Sequence, residues 1–196
     1  MKKVIFVVAL LVFLILLVLL EGRAAVADEV VVIIGGWGSD KNPEELGYLQ
    51  KNIPGSIVIT PSRCWPLKEA TIDVLQQLKQ KGVALEELVL VGHSWGGLIA
   101  REIDAENLGL VSKVITIATP NAGFWYAPRF VYEASDSVSK TPIYVIAGAD
   151  DEKVSLKSAV TVGRKPADFV IFIGLSHVGL LSSELVAQKI NFWILQ

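Results

Sequence analysis

From Val30 onward, short β-branched apolar runs alternate with longer stretches in which apolar side chains recur every three or four residues. The runs predict strands at 30–34, 56–60, 87–91, 113–118, 142–147 and 169–174. Being almost continuously apolar, they fit strands covered on both faces, as in a parallel sheet. The periodic stretches predict helices at 43–51, 66–81, 96–106, 155–162 and 184–195. Pro43 and Pro66 suit first-turn positions, and Ser183 is placed to cap the last helix. Repeated strand-helix alternation predicts an α/β fold, a doubly wound, mostly parallel sheet of about six strands with right-handed crossovers. One interval breaks the pattern. Residues 119–141 have no clear period and hold Phe124, Trp125, Tyr126, Phe130 and Tyr132. A connection of this length is commonly functional, and it is read here as a short lid-like insertion.

Ahead of this body stands a different pattern: Met1, Lys2 and Lys3, then 17 uncharged apolar residues over 4–20, then Glu21-Gly22-Arg23 and the small-residue run Ala24-Ala25-Val26-Ala27. A helix apolar on every face needs protein or lipid all round it. With a basic start and an Ala-x-Ala end, the pattern predicts an export signal over 1–27, either cleaved after Ala27 or kept as a membrane anchor. Lys2 and Lys3 would stay in the cytoplasm, which puts the domain at 28–196 outside, secreted or held on the extracytoplasmic face.

Composition narrows the function classes. With 196 residues, 52% of them hydrophobic and 19% charged, the chain can bury one ordinary core. The formal net charge is −2 without a basic cluster, so no nucleic-acid partner is expected. Cys64 is the one cysteine, which excludes an intrachain disulfide, and no Cys/His group has metal-ligand spacing. The glycines of "IIGGWG" lack the G-x-G-x-x-G spacing and a following Lys-Ser/Thr, so no nucleotide cofactor is expected.

Chemistry is concentrated in "LVLVGHSWGGLIAR", residues 88–101. Gly92-His93-Ser94-Trp95-Gly96 is a G-x-S-x-G pentapeptide, which arises by chance in roughly one chain in fifteen of this length. Its weight comes from its setting, between an apolar strand and a helix, where a strained turn exposes a nucleophilic serine. A serine hydroxyl reacts only with a general base, an acid that orients the base, and donors for the oxyanion. The chain has two histidines. His93 adjoins Ser94 and cannot easily turn its ring back to that hydroxyl, so it is read as packing beside the turn. His177, in a loop just past the last strand, is read as the base. The acid is sought in "GADDEKV", where Asp151 is preferred and Asp150 is the alternative. The backbone N–H groups of Trp95 and of Trp37, in the loop after the first strand, are the oxyanion donors.

These residues resemble the α/β-hydrolases, and among them small lipases and carboxylesterases of near-minimal fold. "GHSWGG" resembles the lipase turn, and "IIGGWG" the oxyanion loop that usually begins His-Gly, with Gly35 in the histidine's place. "IATPNAGF" is similar to the lipase segment Thr-Pro-His-x-Gly, with Asn121 for the histidine. "GADDEKV" is similar to G-x-x-D-x-x-V, which favours Asp151, and "SHVGLL" resembles the catalytic-histidine loop of small bacterial lipases. The resemblance covers residues 30–195 and implies a serine hydrolase of carboxylic esters with a Ser94-Asp151-His177 triad, an acyl-enzyme and no cofactor. The aromatic interval, with Phe124, Trp125 and Tyr126, and the nearby Trp37 imply an apolar pocket and a small-molecule or lipid ester as substrate. A thioesterase, an amidase or an acyltransferase would use the same triad. A rival of another class is a membrane-anchored binding protein that keeps the fold without turnover.

Overall fold

The computed structural model describes residues 29–62, 66–106, 109–123 and 139–196. The expected export segment and the middle of the insertion, with Phe124, Trp125 and Tyr126, lie outside the described residues. Among the described residues, no helix is long and apolar enough to cross a membrane.

Six strands form one parallel sheet: β1 (Val30–Ile34), β2 (Ile57–Ile59), β3 (Leu88–His93), β4 (Val111–Ile117), β5 (Ile143–Gly148) and β6 (Asp168–Phe172), in the order β2-β1-β3-β4-β5-β6. The helices are α1 (Gly47–Asn52), which continues a 3₁₀ turn at Pro43–Leu46, then α2 (Leu67–Gln80), α3 (Trp95–Glu106), α4 (Leu156–Val160) and α5 (Glu184–Ile194). Each expected strand and helix is present, with ends shifted by a few residues at most. The chain moves outward from β1 to β2 and then returns to β3 on β1's other side. That reversal opens a crevice at the carboxyl ends of β1 and β3, the place where such sheets bind ligands.

Alternate strand residues feed two cores. Val31, Ile33, Val89, Val91, Ile115 and Ile117 face α1 and α5, where Leu49, Ile190 and Trp193 are fully buried. Val32, Ile34, Leu90 and Val114 face α2 and α3, against Val74, Leu78, Leu98 and Ile99. Each such aliphatic side chain contributes about 1.5–3 kcal/mol relative to exposure. Trp193 lies against Tyr144, ring centroids 5.0 Å apart, and its Nε1–H donates to Asp168 Oδ2 at 3.0 Å.

Three local expectations are corrected. β6 is not covered on both faces: Val170 and Phe172 pack on the α1/α5 side, while Phe169 and Ile171 are exposed. β6 is the edge strand of the sheet, and α4, five residues long, packs on Ala147 of β5. Ser183 occupies the N-cap position of α5 with extended dihedrals, but its side chain makes no capping hydrogen bond. Pro66 is the residue before the first turn of α2 and not within it.

Candidate active site

Ser94 is the single residue between β3 and α3, and its φ is +52°. A non-glycine residue in the left-handed region costs about 1–3 kcal/mol unless its surroundings enforce it. Here they do. The Ser94 N–H donates to Ile117 O at 2.8 Å, and the Gly97 N–H to Ser94 O at 3.1 Å. The flanking glycines leave no room for a side chain: a Cβ on Gly92 would lie 2.5 Å from Gly97 N, one on Gly96 2.6 Å from Gly35 O, and one on Gly97 would overlap the Thr119 side chain. The G-x-S-x-G-G spacing thus has a steric origin at each glycine, and the turn it forces puts Ser94 at the mouth of the crevice.

His177 follows β6 and is 3% exposed. Its Nδ1 lies 2.8 Å from Asp151 Oδ2. A carboxylate accepts, so Nδ1 carries the hydrogen, and in a neutral ring that leaves the lone pair on Nε2. Asp151 Oδ1 accepts the N–H groups of Lys153 and Val154, both at 2.8 Å. Burial pushes the Asp151 carboxyl up, but the hydrogen bond from His177 and those from Val154 and Lys153 outweigh it and hold it below the usual carboxylate range. It stays ionised beside the imidazole.

The neighbouring carboxylates have other work. Asp150 Oδ2 accepts the Gly174 N–H at 2.6 Å, tying the end of β6 to this loop. Glu152 Oε2 accepts the backbone N–H of His177 at 3.1 Å, and that bond is the first cause of its lowered pKa. Of the two aspartates weighed from sequence, Asp151 is the one in contact with the imidazole.

On the opposite side, the loop after β1 lies against the turn: a Cβ on Gly36 would be 2.9 Å from Ser94 Cβ. Trp37 is 67% exposed, and Trp95, at the start of α3, is buried. Their rings meet edge to face, centroids 5.8 Å apart at 76°, a favourable aromatic arrangement. The two residues named as oxyanion donors are therefore neighbours, and the Trp37 ring is exposed beside Trp95.

Beneath lies a polar network that the sequence did not reveal. Arg101 Nη1 donates to Asn121 Oδ1 at 2.8 Å, and Asn121 Nδ2 donates to Ala159 O at 2.6 Å. Ser158 Oγ donates to Gly123 O at 2.6 Å. These bonds fasten the start of the insertion to α4. Asn121 thus has a structural partner set of its own. Arg101, 2% exposed, shares the buried face of its helix with Asp104 among apolar residues, and a charged residue at those positions is the sequence signal for such a network. His93, read as packing, is 5% exposed and contacts His177 through its ring and through a hydrogen bond. Among the described residues, no group of three or more His, Cys, Asp or Glu could hold a metal ion.

No protein-family model matches the chain, and no curated protein matches it. Solved structures do. Est1E from Butyrivibrio proteoclasticus aligns with a TM-score of 0.64 at 15% identity, covering 87% of this chain and 89% of that one. The esterase domain of a Rhodothermus marinus protein aligns at 0.62 and 15% identity over 87% and 88% of the two chains. An alpha/beta hydrolase fold protein from Chitinophaga pinensis aligns at 0.62 and 12% identity over 86% and 90%.

Proposed function

Since the chain has the α/β-hydrolase fold, we propose that it is a serine hydrolase of carboxylic esters, lipase-like in its preference for hydrophobic acyl groups. The observations that carry this are the buried His177–Asp151 pair, 2.8 Å apart, and a serine held at φ +52° between strand and helix, next in the chain to His93, whose ring contacts His177.

In this mechanism the Ser94 Oγ attacks the ester carbonyl carbon while His177 Nε2 takes its proton, and the ionised Asp151 stabilises the imidazolium. The backbone N–H groups of Trp37 and Trp95 donate to the oxyanion. The intermediate collapses, His177 returns the proton to the departing alcohol, and an acyl-enzyme remains on Ser94. Water, deprotonated by His177, then attacks the acyl carbon and releases the acid and Ser94. The exposed Trp37 ring against Trp95 supports an apolar acyl subsite, and the sequence adds Phe124, Trp125 and Tyr126 to it. The segment 1–27 fits a hydrolase exported from the cytoplasm, secreted or membrane-held, that meets lipid or small hydrophobic esters there.

The test is hydrolysis of p-nitrophenyl esters of increasing acyl length by the full chain and by Ser94→Ala. Turnover that rises with acyl length and disappears in the variant is expected. A preference for acetyl over longer chains would overturn the lipase-like part, and wild-type inactivity on all esters would overturn the ester hydrolase reading.

A further inference from the structure

The two histidines of the chain stand together, ring centroids 4.7 Å apart and planes tilted by 48°. His93 is the last residue of β3 and immediately precedes Ser94. Its Nε2 lies 3.1 Å from the backbone carbonyl oxygen of His177. A carbonyl oxygen only accepts, so His93 Nε2 carries the hydrogen and donates it. Across the same residue, Glu152 accepts the His177 N–H. Both backbone groups of His177 are thus held by side chains, one from the strand that leads to Ser94 and one from the loop that carries Asp151.

Apart from those to Asp150, Asp151 and Glu152, the other hydrogen bonds of this loop are local. Gly179 N–H donates to Ser176 Oγ, Leu180 N–H to Ser176 O and Leu181 N–H to Val178 O. They shape the loop but do not fix its distance from the nucleophile turn. The His93 bond does, because it runs from the residue next to Ser94 to the residue whose ring must meet it. The loop after β1 closes on the same imidazole: a Cβ on Gly36 would be 3.3 Å from His93 Nδ1. Three loops of the crevice therefore meet at one ring.

We propose that His93 is a positioning residue, whose Nε2–H bond to the His177 carbonyl sets the imidazole of His177 at working distance from Ser94. This rests on His177 being the proton acceptor. Burial, and then the neighbouring His177, hold the His93 pKa down to about 3, so near neutral pH the ring carries one hydrogen, on the Nε2 that faces the carbonyl. The same condition keeps His93 from competing for the serine proton, although it is the nearer histidine in sequence. Reacting groups must be held within a fraction of an ångström, and a misplacement of about 1 Å costs on the order of a hundredfold in rate.

Two measurements on the full chain test this. The first is long-range ¹H–¹⁵N NMR of the histidine-labelled protein, with His93→Gln to assign the two rings. His93 is expected as the neutral Nε2–H tautomer from about pH 5 to pH 8. The Nδ1–H tautomer, or titration near the ordinary histidine value, would overturn the proposal whatever the activity. The second compares His93→Gln with His93→Met, which are similar in length and differ in the amide donor. The Met variant is expected to lose about tenfold to a hundredfold in kcat on a p-nitrophenyl ester with KM nearly unchanged, and the Gln variant to recover most of it. A Met variant as fast as wild type, or Gln and Met equally slow, would overturn the positioning role alone. A wild type without turnover would overturn the hydrolase reading and this role with it. Should the Met variant not fold, the wild-type tautomer decides.

Discussion

Acidification should destabilise this protein through His93, and the size of the effect follows from its burial. The ring is 5% exposed, and burial, then His177, lower its pKa from 6.5 to about 3. In the unfolded chain it returns to its ordinary value, so between these two values the unfolded state binds a proton that the folded state refuses. The stability that a neutral His93 allows is complete above about pH 6.5 and is lost progressively as pH falls towards 3. From neutral pH to pH 4 the loss is about 3 kcal/mol, approaching the 1.4 kcal/mol per pH unit that one proton permits. That is a large share of the total stability of a domain of this size.

The assay is urea unfolding of wild type and His93→Gln at pH 7, 5.5 and 4. Asp151, whose lowered pKa removes stability only below its ordinary range, contributes nearly equally to both proteins and cancels in the difference. His93→Gln is expected to start less stable at pH 7, through imperfect packing, and to gain about 3 kcal/mol relative to wild type by pH 4. Parallel pH dependences for the two proteins would refute the reasoning, because a histidine that costs nothing to protonate is not buried as described.

Further outcomes follow from the same geometry. Asp151→Asn should lower kcat by about 10³–10⁴-fold by removing the charge that holds His177 in its Nδ1–H tautomer and stabilises the imidazolium, while Asp150→Asn, which weakens a bond to the Gly174 amide, should keep kcat within about tenfold; steady-state kinetics on one ester decides, and the reverse ranking would overturn the choice of acid. Gly97→Ala should destabilise by about 1–3 kcal/mol because its Cβ meets the Thr119 side chain, and Thr119→Ala in the same chain should restore part of this in urea unfolding; purely additive losses would contradict the clash. For the export reading, N-terminal sequencing of protein recovered outside the cytoplasm should begin at Asp28 if the segment is cleaved or show Met1 in the membrane fraction if it anchors, and recovery of the intact chain only from the cytoplasm would contradict it.

Much of this molecule is legible along the chain because its determinants are local. β1, β3 and β4 announce themselves as apolar runs, and their burial on both faces follows from lying inside the sheet. The turn at Ser94 is written in three glycines whose absence of side chains the fold needs. β6 shows where this ends: its sequence is as apolar as the others, but its exposed face follows from its place at the edge of the sheet. Likewise Asp150, Asp151 and Glu152 are indistinguishable as three adjacent carboxylates until Gly174, the His177 ring and the His177 amide arrive from β6 and its loop to sort them. His93 is the clearest case. Its partner is 84 residues away, and no local pattern distinguishes a histidine that fills space from one that holds a peptide in place.

The central claim, that Ser94 is a nucleophile activated by His177 and Asp151, is tested most directly by a fluorophosphonate and mass spectrometry. The full chain is incubated with the probe, and the modified peptide is sequenced in wild type and in Ser94→Ala. One phosphonyl adduct on Ser94, formed at a rate that His177→Ala reduces by several orders of magnitude, is the predicted result. An unmodified wild type, or an adduct on another residue that persists in Ser94→Ala, would contradict it.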